Sequence, residues 1–397
     1  MMFRREDFLL IAIAFSLLFP PLPEIGGLTL RLEDILLLGV APFYCLKGAG
    51  IRKDSPLWIF LIFLFFACIS TFSGYLFREV PPVKGDFNEF VRMFKYVFAI
   101  IIASSVNQTI FFEKYDKFMR WGGIYVIILS IVEYVNPFNI DTLIGKIYSV
   151  PYYHVEGMVE GSRRIVVTGG DPNIGAFIVT YFLIYFYLKT FIEKKYHNIV
   201  MILLLFLCVV ATSSRTIFFA ILFVCGFFVL MDKKIKKGIK FLIILLGCLG
   251  ITLLFTSQNF QYLTVGINQL ATGDNESLNL RYVIWETNLN YFRESLLLGW
   301  GPAKAIHDTI VDGEYVFLLV RYGIIGIGIF LFLLFRNMFL TFRVNGIYGK
   351  YISCITILSF FFMVTNNFFS GYQLFLNYII LVTVVLTNRR EEYISLN

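Results

Sequence analysis

Long apolar runs constrain this chain more than any other feature of its sequence. Hydrophobic residues make up 58% of it and charged residues 15%, whereas globular domains carry about 25% charge. Twelve runs approach or reach the roughly 17–25 residues that a helix needs to cross a bilayer. The sequence therefore predicts an all-α, polytopic membrane protein that forms one membrane domain over residues 1–397. The predicted spans lie near residues 8–22, 28–46, 56–77, 87–106, 119–136, 173–190, 198–212, 215–231, 239–256, 314–335, 350–369 and 371–388.

The basic residues orient these spans. With a cytoplasmic N-terminus, 21 of the 34 basic residues fall in loops on the cytoplasmic side, as the positive-inside rule requires. Both termini are then cytoplasmic, and the net charge of +7 reflects topology rather than nucleic-acid binding. On this topology, residues 137–172 and 257–313 form long extracytoplasmic loops, the second of them directly before span ten.

The second long loop contains a helical pattern. An amphipathic helix is expected here, lying on the membrane surface. The apolar positions that recur at three- and four-residue steps are Tyr282, Trp285, Leu289, Phe292 and Leu296, and the polar positions off that stripe are Arg281, Asn288 and Glu294.

Arg215 follows Thr212-Ser213-Ser214 in the turn between spans seven and eight. Those spans have only about 15–17 residues, or about 22–26 Å at 1.5 Å per residue, less than the ~30 Å of the hydrocarbon core. The turn should therefore be sunken. A cation at a helix N-terminus also opposes the helix dipole, so we expect a bound anion there. The alternative is that Arg215 snorkels to lipid headgroups.

A pair of arginines precedes span six. Arg163 and Arg164 come shortly before Gly169-Gly-Asp-Pro-Asn173. Within that motif, Asp171 has the position of an N-cap, followed by proline at the first helical residue. The arginine pair is predicted to bind phosphate or sugar, with a headgroup contact as the alternative.

Ionisable residues also occur inside a predicted span. Arg92 and Lys95 lie one turn apart in span four, where charged residues are rare and usually face a polar cavity. Pairing with Glu89 is the alternative. Glu33 and Asp34 of span two are a second, weaker pair of candidate acids.

Acid–base chemistry has three candidates near span ten, namely His307, Asp312 and Glu314. A glycosyl acceptor needs a base within hydrogen-bond reach, and a carboxylate or an imidazole can serve. Glu314 and Arg321 are seven residues apart on one helix face, so they are expected to pair. For each residue alone, a solvated surface position is the alternative.

The order of these motifs resembles the O-antigen polymerase and O-antigen ligase superfamily of polytopic bacterial glycosyltransferases. The likeness covers about residues 160–330. The motifs that carry it are the arginines with Gly169–Asn173, Thr212–Arg215, Arg281-Tyr-Val-Ile-Trp285, Leu298-Gly-Trp-Gly301, Tyr315 and Tyr322-Gly-Ile-Ile-Gly326.

The resemblance implies a donor glycan on undecaprenyl pyrophosphate, whose pyrophosphate is bound by arginines on the outer side of the membrane. By position these are Arg164, Arg215 and Arg281, and Arg163, Tyr315 and Arg321 complete the expected substrate-binding set. Ligases of this superfamily typically carry His-Asn before the final tyrosine. Here Asp312-Gly313 takes that place, which favours a polymerase and leaves the base open among Asp312, Glu314 and His307.

The sequence thus predicts a metal-independent glycosyltransferase, without a cofactor, that polymerises lipid-linked repeat units at the outer face of the inner or plasma membrane. Its expected partners are the lipid-linked donor and acceptor, membrane lipids and a chain-length regulator protein. A ligase that moves the glycan to lipid A-core is the first alternative. A flippase of lipid-linked oligosaccharide is the second.

Overall fold

The computed structural model describes residues 4–22, 30–45, 54–149, 164–231, 276–306 and 311–387. Within these ranges the chain forms α-helices joined by turns and short 3-10 segments, and no β-strand occurs there. The predicted all-α class is confirmed for this part of the chain. In chain order the helices are α1 (Arg5–Leu18), α2 (Leu32–Gly39), α3 (Ala41–Cys45), α4 (Leu57–Phe77), α5 (Lys84–Ala103), α6 (Gln108–Val135), α7 (Ile140–Tyr148), α8 (Pro172–Phe191), α9 (Ile199–Ala211), α10 (Arg215–Met231), α11 (Glu276–Glu294), α12 (Glu314–Phe342), α13 (Ile347–Thr365) and α14 (Gln373–Thr387).

The chain divides into two compact units. Unit 1 comprises Met1–Gly122, Val283–Thr356 and Met363–Asn397, and unit 2 comprises Gly123–Tyr282 and Ile357–Phe362. The expectation of a single membrane domain stays a prediction. The described candidate site residues are divided between the units, with Arg164, Arg215 and Arg281 in unit 2 and Asp312, Glu314, Tyr315 and Arg321 in unit 1.

Within the described residues, five helices are long and apolar enough to cross a bilayer: α4, α6, α8, α12 and α13. The helices α9 and α14 and residues 215–227 of α10 are apolar but shorter. The structure therefore supports a membrane-embedded protein with several spans. The complete set of twelve spans and the long loop before span ten stay predictions.

The core of unit 1 is aromatic. Helix α4 packs against α5 and α12, and α14 packs against α1 and α5. The ring of Phe63 in α4 lies 5.7 Å from that of Phe330 in α12 and 5.4 Å from that of Phe369. Phe369 also contacts Phe375 of α14, with ring centroids 5.1 Å apart. Aromatic side chains bury large apolar areas, so this cluster ties α4, α12 and α14 together.

Helix α8 lies at the centre of unit 2. In the most apolar 18-residue stretch of this helix, 89% of the residues are buried, as expected for a helix that is hydrophobic on all sides. The carboxylate of Asp171 accepts hydrogen bonds from the backbone N–H groups of Asn173 and Ile174 at 2.7 and 3.2 Å, and Pro172 is the first helical residue. The predicted N-cap is confirmed. It fixes the start of α8, where Asn173 lies.

Helix α12 is broken at Gly323, whose backbone is not helical (φ 62°, ψ −171°). In a membrane, irregular backbone is tolerated where protein satisfies its hydrogen bonds. Here the segment 296–301 does so. The hydrogen bonds run from Trp300 N to Val320 O (2.9 Å), from Gly301 N to Arg321 O (2.8 Å) and from Ile324 N to Leu296 O (2.8 Å).

The glycines of this region allow close backbone approach. Gly301 has a φ of 73°, and a Cβ atom added to it would collide with the backbone of Thr71 in α4. A Cβ atom on Gly323 would collide with the carbonyl group of Leu297. The Leu298-Gly-Trp-Gly301 motif therefore has a structural role, since it fills the break in α12 and contacts α4.

Helix α11 confirms that the second long loop contains a helix, but its faces differ from the prediction. Asn288, expected on the polar side, is 2% exposed, and Tyr282 of the apolar stripe is 54% exposed. The side-chain amide of Asn288 donates to the carbonyl oxygen of Ile284 at 2.8 Å. This bond satisfies one N–H of the amide, which lowers the cost of burying Asn288. The position of α11 on the membrane surface stays a prediction.

Candidate functional site

In unit 2, Arg164 contacts the turn that leads into Arg215. The guanidinium Nε of Arg164 donates to the backbone carbonyl oxygen of Thr212 at 3.1 Å, and Nη2 lies 3.5 Å from Oδ1 of Asn173. The same Oδ1 accepts a hydrogen bond from the hydroxyl of Ser214 at 2.9 Å. Asn173 therefore links Arg164 to the residue directly before Arg215, and two motifs that the sequence singled out come together.

A positive φ at Ser213 and the hydroxyl of Thr212 shape the turn between α9 and α10. Ser213 has a φ of 55°, and the hydroxyl of Thr212 donates to Val209 O at 2.6 Å while it accepts from Ser214 N at 3.3 Å. Arg215 is the first residue of α10 and is partly exposed. The N–H groups of a helix N-terminus favour anions. The predicted helix start at Arg215 is confirmed, and its binding of an anion stays a prediction.

Sequence reasoning missed Glu133, which positions the Arg164 segment. Glu133 is 3% exposed, and its two carboxylate oxygens accept hydrogen bonds from Val166 N at 2.6 Å and Val167 N at 2.9 Å. Val167 has a φ of 54°, a conformation that β-branched residues rarely adopt. An acid near the end of an apolar run is itself a signal, because ionisable residues within spans are rare and commonly functional.

In unit 1, Asp312 lies directly before α12. The N-cap residue of α12 is Gly313, with a φ of 117°, so Asp312 lies one position before the cap. The backbone carbonyl oxygen of Asp312 accepts a hydrogen bond from the indole N–H of Trp285. A Cβ atom on Gly313 would lie 2.9 Å from Val364 O and 3.2 Å from the indole nitrogen. Glycine therefore permits this approach, which fixes the backbone of Asp312.

Glu314 is fully buried and holds the turn between α13 and α14. Its Oε2 atom accepts from Phe369 N at 2.8 Å and from Ser370 N at 3.3 Å, and its own N–H donates to Asn366 O at 3.1 Å. No hydrogen-bond partner of its Oε1 atom is present in the described part of the chain. Glu314 thus stabilises a turn, and its role as a base stays a prediction.

Arg321 pairs with Glu89 rather than with Glu314, which corrects the pairing expected from the sequence. Its Nη1 atom lies 2.9 Å from Oε1 of Glu89. The same oxygen lies 2.9 Å from the ammonium of Lys304, and the hydroxyl of Tyr372 donates to the other carboxylate oxygen. The seven-residue spacing placed Glu314 and Arg321 on one face of α12, but it gave no information on the carboxylate that α5 supplies. The binding of substrate by Arg321 stays a prediction.

Lys95 of α5 does not make the ion pair with Glu89 that the sequence offered as an alternative. Lys95 is fully buried, and its ammonium lies 2.6 Å from Oδ1 of Asp34 and 3.9 Å from Oε1 of Glu33. Lys95 therefore pairs with Asp34 and Glu33, the candidate acids of predicted span two, and not with Glu89. The guanidinium of Arg92 lies 4.4 Å from the ring centroid of Tyr372. These groups form a buried ionic network in unit 1.

Two further candidate residues lie in helices. Arg281 lies in α11 and Tyr315 in the first turn of α12, and both are partly buried. Their roles in substrate binding stay predictions. Arg163 and His307 lie outside the described residues, so their predicted roles are untested.

The comparison with known families concerns the middle of the chain. A family model described as O-antigen ligase matches residues 200–331, about a third of the sequence. The match contains the motifs from Thr212 to Gly326 but not Arg164. No curated protein matches the chain significantly. Residues 200–331 are thus similar to the O-antigen ligase family, and the resemblance that the motifs indicated is confirmed for this part of the chain.

Proposed function

We propose that this protein polymerises lipid-linked oligosaccharide repeat units of an O-antigen, a capsule or an exopolysaccharide. The donor is the growing glycan on undecaprenyl pyrophosphate, and the acceptor is a new repeat unit on its own carrier. The reaction takes place at the outer face of the bacterial inner or plasma membrane, with both termini cytoplasmic and with a chain-length regulator as a further partner. The observation that carries the proposal is the hydrogen-bonded link between Arg164 and the Thr212–Arg215 turn.

In this reaction an acceptor hydroxyl attacks the anomeric carbon of the donor sugar. The bond from that carbon to the pyrophosphate oxygen breaks, and negative charge develops on the leaving group. Arg164, Arg215 and Arg281 stabilise this charge, because preorganised donors act most strongly where charge develops. A guanidinium also matches phosphate oxygens with two parallel hydrogen bonds. Asp312 takes the proton of the acceptor hydroxyl or orients that hydroxyl. The counter-charge comes from arginine, so the proposal includes no metal.

Two other functions are the alternatives. A ligase would move the finished glycan to lipid A-core, but Asp312-Gly313 stands where ligases of the superfamily typically carry His-Asn, which favours a polymerase. A flippase would line both halves of a cavity with charge. In this sequence the charged residues that are not in the cytoplasmic loops are concentrated on the predicted outer side, and the long loops lie there as well.

The glycan length distribution of a deletion strain tests the proposal. Loss of a polymerase leaves a single repeat unit attached to the final acceptor, whereas loss of a ligase leaves full-length polymer on the lipid carrier. Loss of a flippase removes repeat units from the outer surface altogether. The purified protein in liposomes should also convert a lipid-linked repeat unit into a ladder of longer products. Full-length polymer in the deletion strain would contradict the proposal.

A further inference from the structure

Two side chains from distant parts of the sequence hold the backbone directly before α12. The side-chain amide of Asn367, in the turn between α13 and α14, donates to the backbone carbonyl oxygen of Val311 at 3.1 Å. The indole N–H of Trp285 in α11 donates to the next carbonyl oxygen, that of Asp312. Together these two hydrogen bonds form a clamp on two consecutive peptide groups, with partners that lie 56 and 27 residues away in the sequence.

The clamp leaves one polar side chain accessible. Val311 and Glu314 are buried, and Gly313 is buried as well. Of the four residues in this segment, only Asp312 is partly exposed. The N–H of Glu314 donates to Asn366 O at 3.1 Å, so the backbone is held after Asp312 as well as before it. The contacts therefore fix a short segment whose one accessible functional group is a carboxylate.

We propose that Trp285 and Asn367 are positioning residues, which set the direction of the Asp312 carboxylate through the backbone. The inference rests on the proposed function in taking Asp312 as the group that accepts the acceptor proton or orients the acceptor hydroxyl. Such a group must come within hydrogen-bond reach of its partner, and a displacement of about 1 Å can cost on the order of 100-fold in rate. Trp285 and Asn367 take no part in proton transfer themselves. Their N–H groups hold carbonyl oxygens, so their effect depends on hydrogen bonding.

Two substitutions each remove one hydrogen bond of the clamp. Trp285→Phe keeps an aromatic ring without the indole N–H, and Asn367→Leu keeps a similar volume without the amide. Trp300→Phe is the matched control, because the indole N–H of Trp300 also donates to a backbone carbonyl oxygen, that of Tyr291, at 2.8 Å. In both clamp variants we expect kcat to fall about 10–100-fold with little change in KM, the pattern of an interaction made only in the transition state. Trp300→Phe should leave kcat near the wild-type value.

Stability separates positioning from a purely structural role. The Oδ1 atom of Asn367 is buried without a hydrogen-bond partner in the described part of the chain, and such an atom is costly. Asn367→Leu removes this atom together with the donor, so we expect a midpoint of thermal unfolding in detergent close to that of the wild type while kcat falls. A kcat loss that occurs only where the midpoint is lowered, or an equal kcat loss in Trp300→Phe, would overturn the inference.

A double-mutant cycle connects the clamp to the carboxylate. Residues that act as a unit give losses that do not add. If Trp285→Phe misplaces the carboxylate, it should cost little further activity in Asp312→Asn protein, where the carboxylate is already absent. Additive losses would show that Trp285 acts elsewhere. Full activity of Asp312→Asn would remove the base, and the inference with it.

Spin labelling tests the clamp without sugar transfer. In cysteine-free protein, a nitroxide attached to Asp312→Cys reports the mobility of this position, and the clamp persists because it holds backbone carbonyl oxygens. Trp285→Phe and Asn367→Leu should make the label more mobile, with narrower EPR lines, whereas Trp300→Phe should not. Unchanged lines in both clamp variants would overturn the inference. If the lines respond as expected but the wild-type protein transfers no sugar, the proposed function fails and the clamp remains.

Discussion

Arg164 donates a hydrogen bond from Nε to the carbonyl oxygen of Thr212, across 3.1 Å and 48 residues of sequence. Thr212 stands three residues before Arg215. The bond therefore joins two arginine motifs that the chain separates. A pyrophosphate presents two neighbouring phosphate groups, and charge-assisted, bidentate hydrogen bonds to arginine are among the strongest that proteins make. The bond brings the two arginine-bearing segments next to each other, as a ligand with two phosphate groups would require.

Replacement of Arg215 should abolish polymer. Arg215→Ala removes the cation at the start of α10, and Arg215→Lys should restore activity poorly because an ammonium cannot reproduce the bidentate geometry of a guanidinium. Gel analysis of glycan length, with immunoblotting of protein level, measures the effect. Arg293→Ala, at an exposed arginine of α11, is the matched control. Full-length polymer from Arg215→Ala would show that this arginine does not bind the donor.

Glu133→Gln should weaken the Arg164 segment. Glutamine offers one oxygen where Glu133 offers two to Val166 N and Val167 N, so one buried N–H is left without its acceptor, at a cost of about 1–3 kcal/mol. We expect a lower midpoint of thermal unfolding in detergent and reduced polymer. Glu113→Gln, at an exposed glutamate of the same helix, should change neither. Equal stability of the two variants would contradict the assigned role of Glu133.

Asp312→Asn tests the base. Gly313 is the N-cap residue of α12, and asparagine is as favourable as aspartate near a helix N-terminus, so Asp312→Asn should leave the helix start intact. We expect normal protein level and strongly reduced polymer, because asparagine keeps the shape of the side chain but cannot accept the proton. Glu286→Gln, at an exposed acid of α11, serves as control. Normal polymerisation by Asp312→Asn would pass the role to Glu314 or His307.

Two glycines of α12 should respond in opposite ways to alanine. Gly323 has a backbone conformation that essentially only glycine adopts and no room for a Cβ atom, so Gly323→Ala should cost more than the roughly 1–3 kcal/mol of that conformation alone. Gly328 has open space around its Cα atom, and Gly328→Ala should gain about 0.5–1 kcal/mol in the helix. Thermal unfolding in detergent compares them. An unchanged unfolding temperature of Gly323→Ala would mean that the break in α12 is not required for stability.

The topology has its own test. In a cysteine-free background, Gly273→Cys lies in the predicted extracytoplasmic loop 257–313 and should react with a membrane-impermeant maleimide in intact cells, or in spheroplasts where an outer membrane is present. The reason is the alternation of lysine and arginine between the flanking loops. Lys117→Cys, in a predicted cytoplasmic loop, should react only after lysis. Labelling of position 273 only after lysis would reverse the orientation and every site assignment that depends on it.

Local signals in the sequence predicted several features correctly. The Asp171-Pro172 cap and the start of a helix at Arg215 follow from the intrinsic preferences of a few adjacent residues. Helix α11 follows from the recurrence of its apolar positions. Its buried face did not follow, because the polar residue Asn288 lies on that face and donates a side-chain N–H to Ile284 O of the same helix.

Pairings between distant segments could not be predicted. Glu89 pairs with Arg321, which lies 232 residues away in the sequence. Glu133 accepts hydrogen bonds from the backbone N–H groups of Val166 and Val167. Helical spacing assigns a residue to a face of its own helix, but it does not tell which helix packs against that face. Each of these acids could be recognised in the sequence as an ionisable residue within an apolar run, but the sequence did not show which residue it would bind.

The sequence by itself determined the helical, membrane-embedded class of the protein and the motifs that resemble the O-antigen ligase family, because hydropathy and short-range spacing are properties of contiguous residues. The tertiary structure decided which charges meet. It joined Arg164 to the Thr212–Arg215 turn, and it filled the break at Gly323 with the segment 296–301. Buried ions and freed backbone groups are costly unless a partner satisfies them, and only packing between distant segments brings those partners within reach.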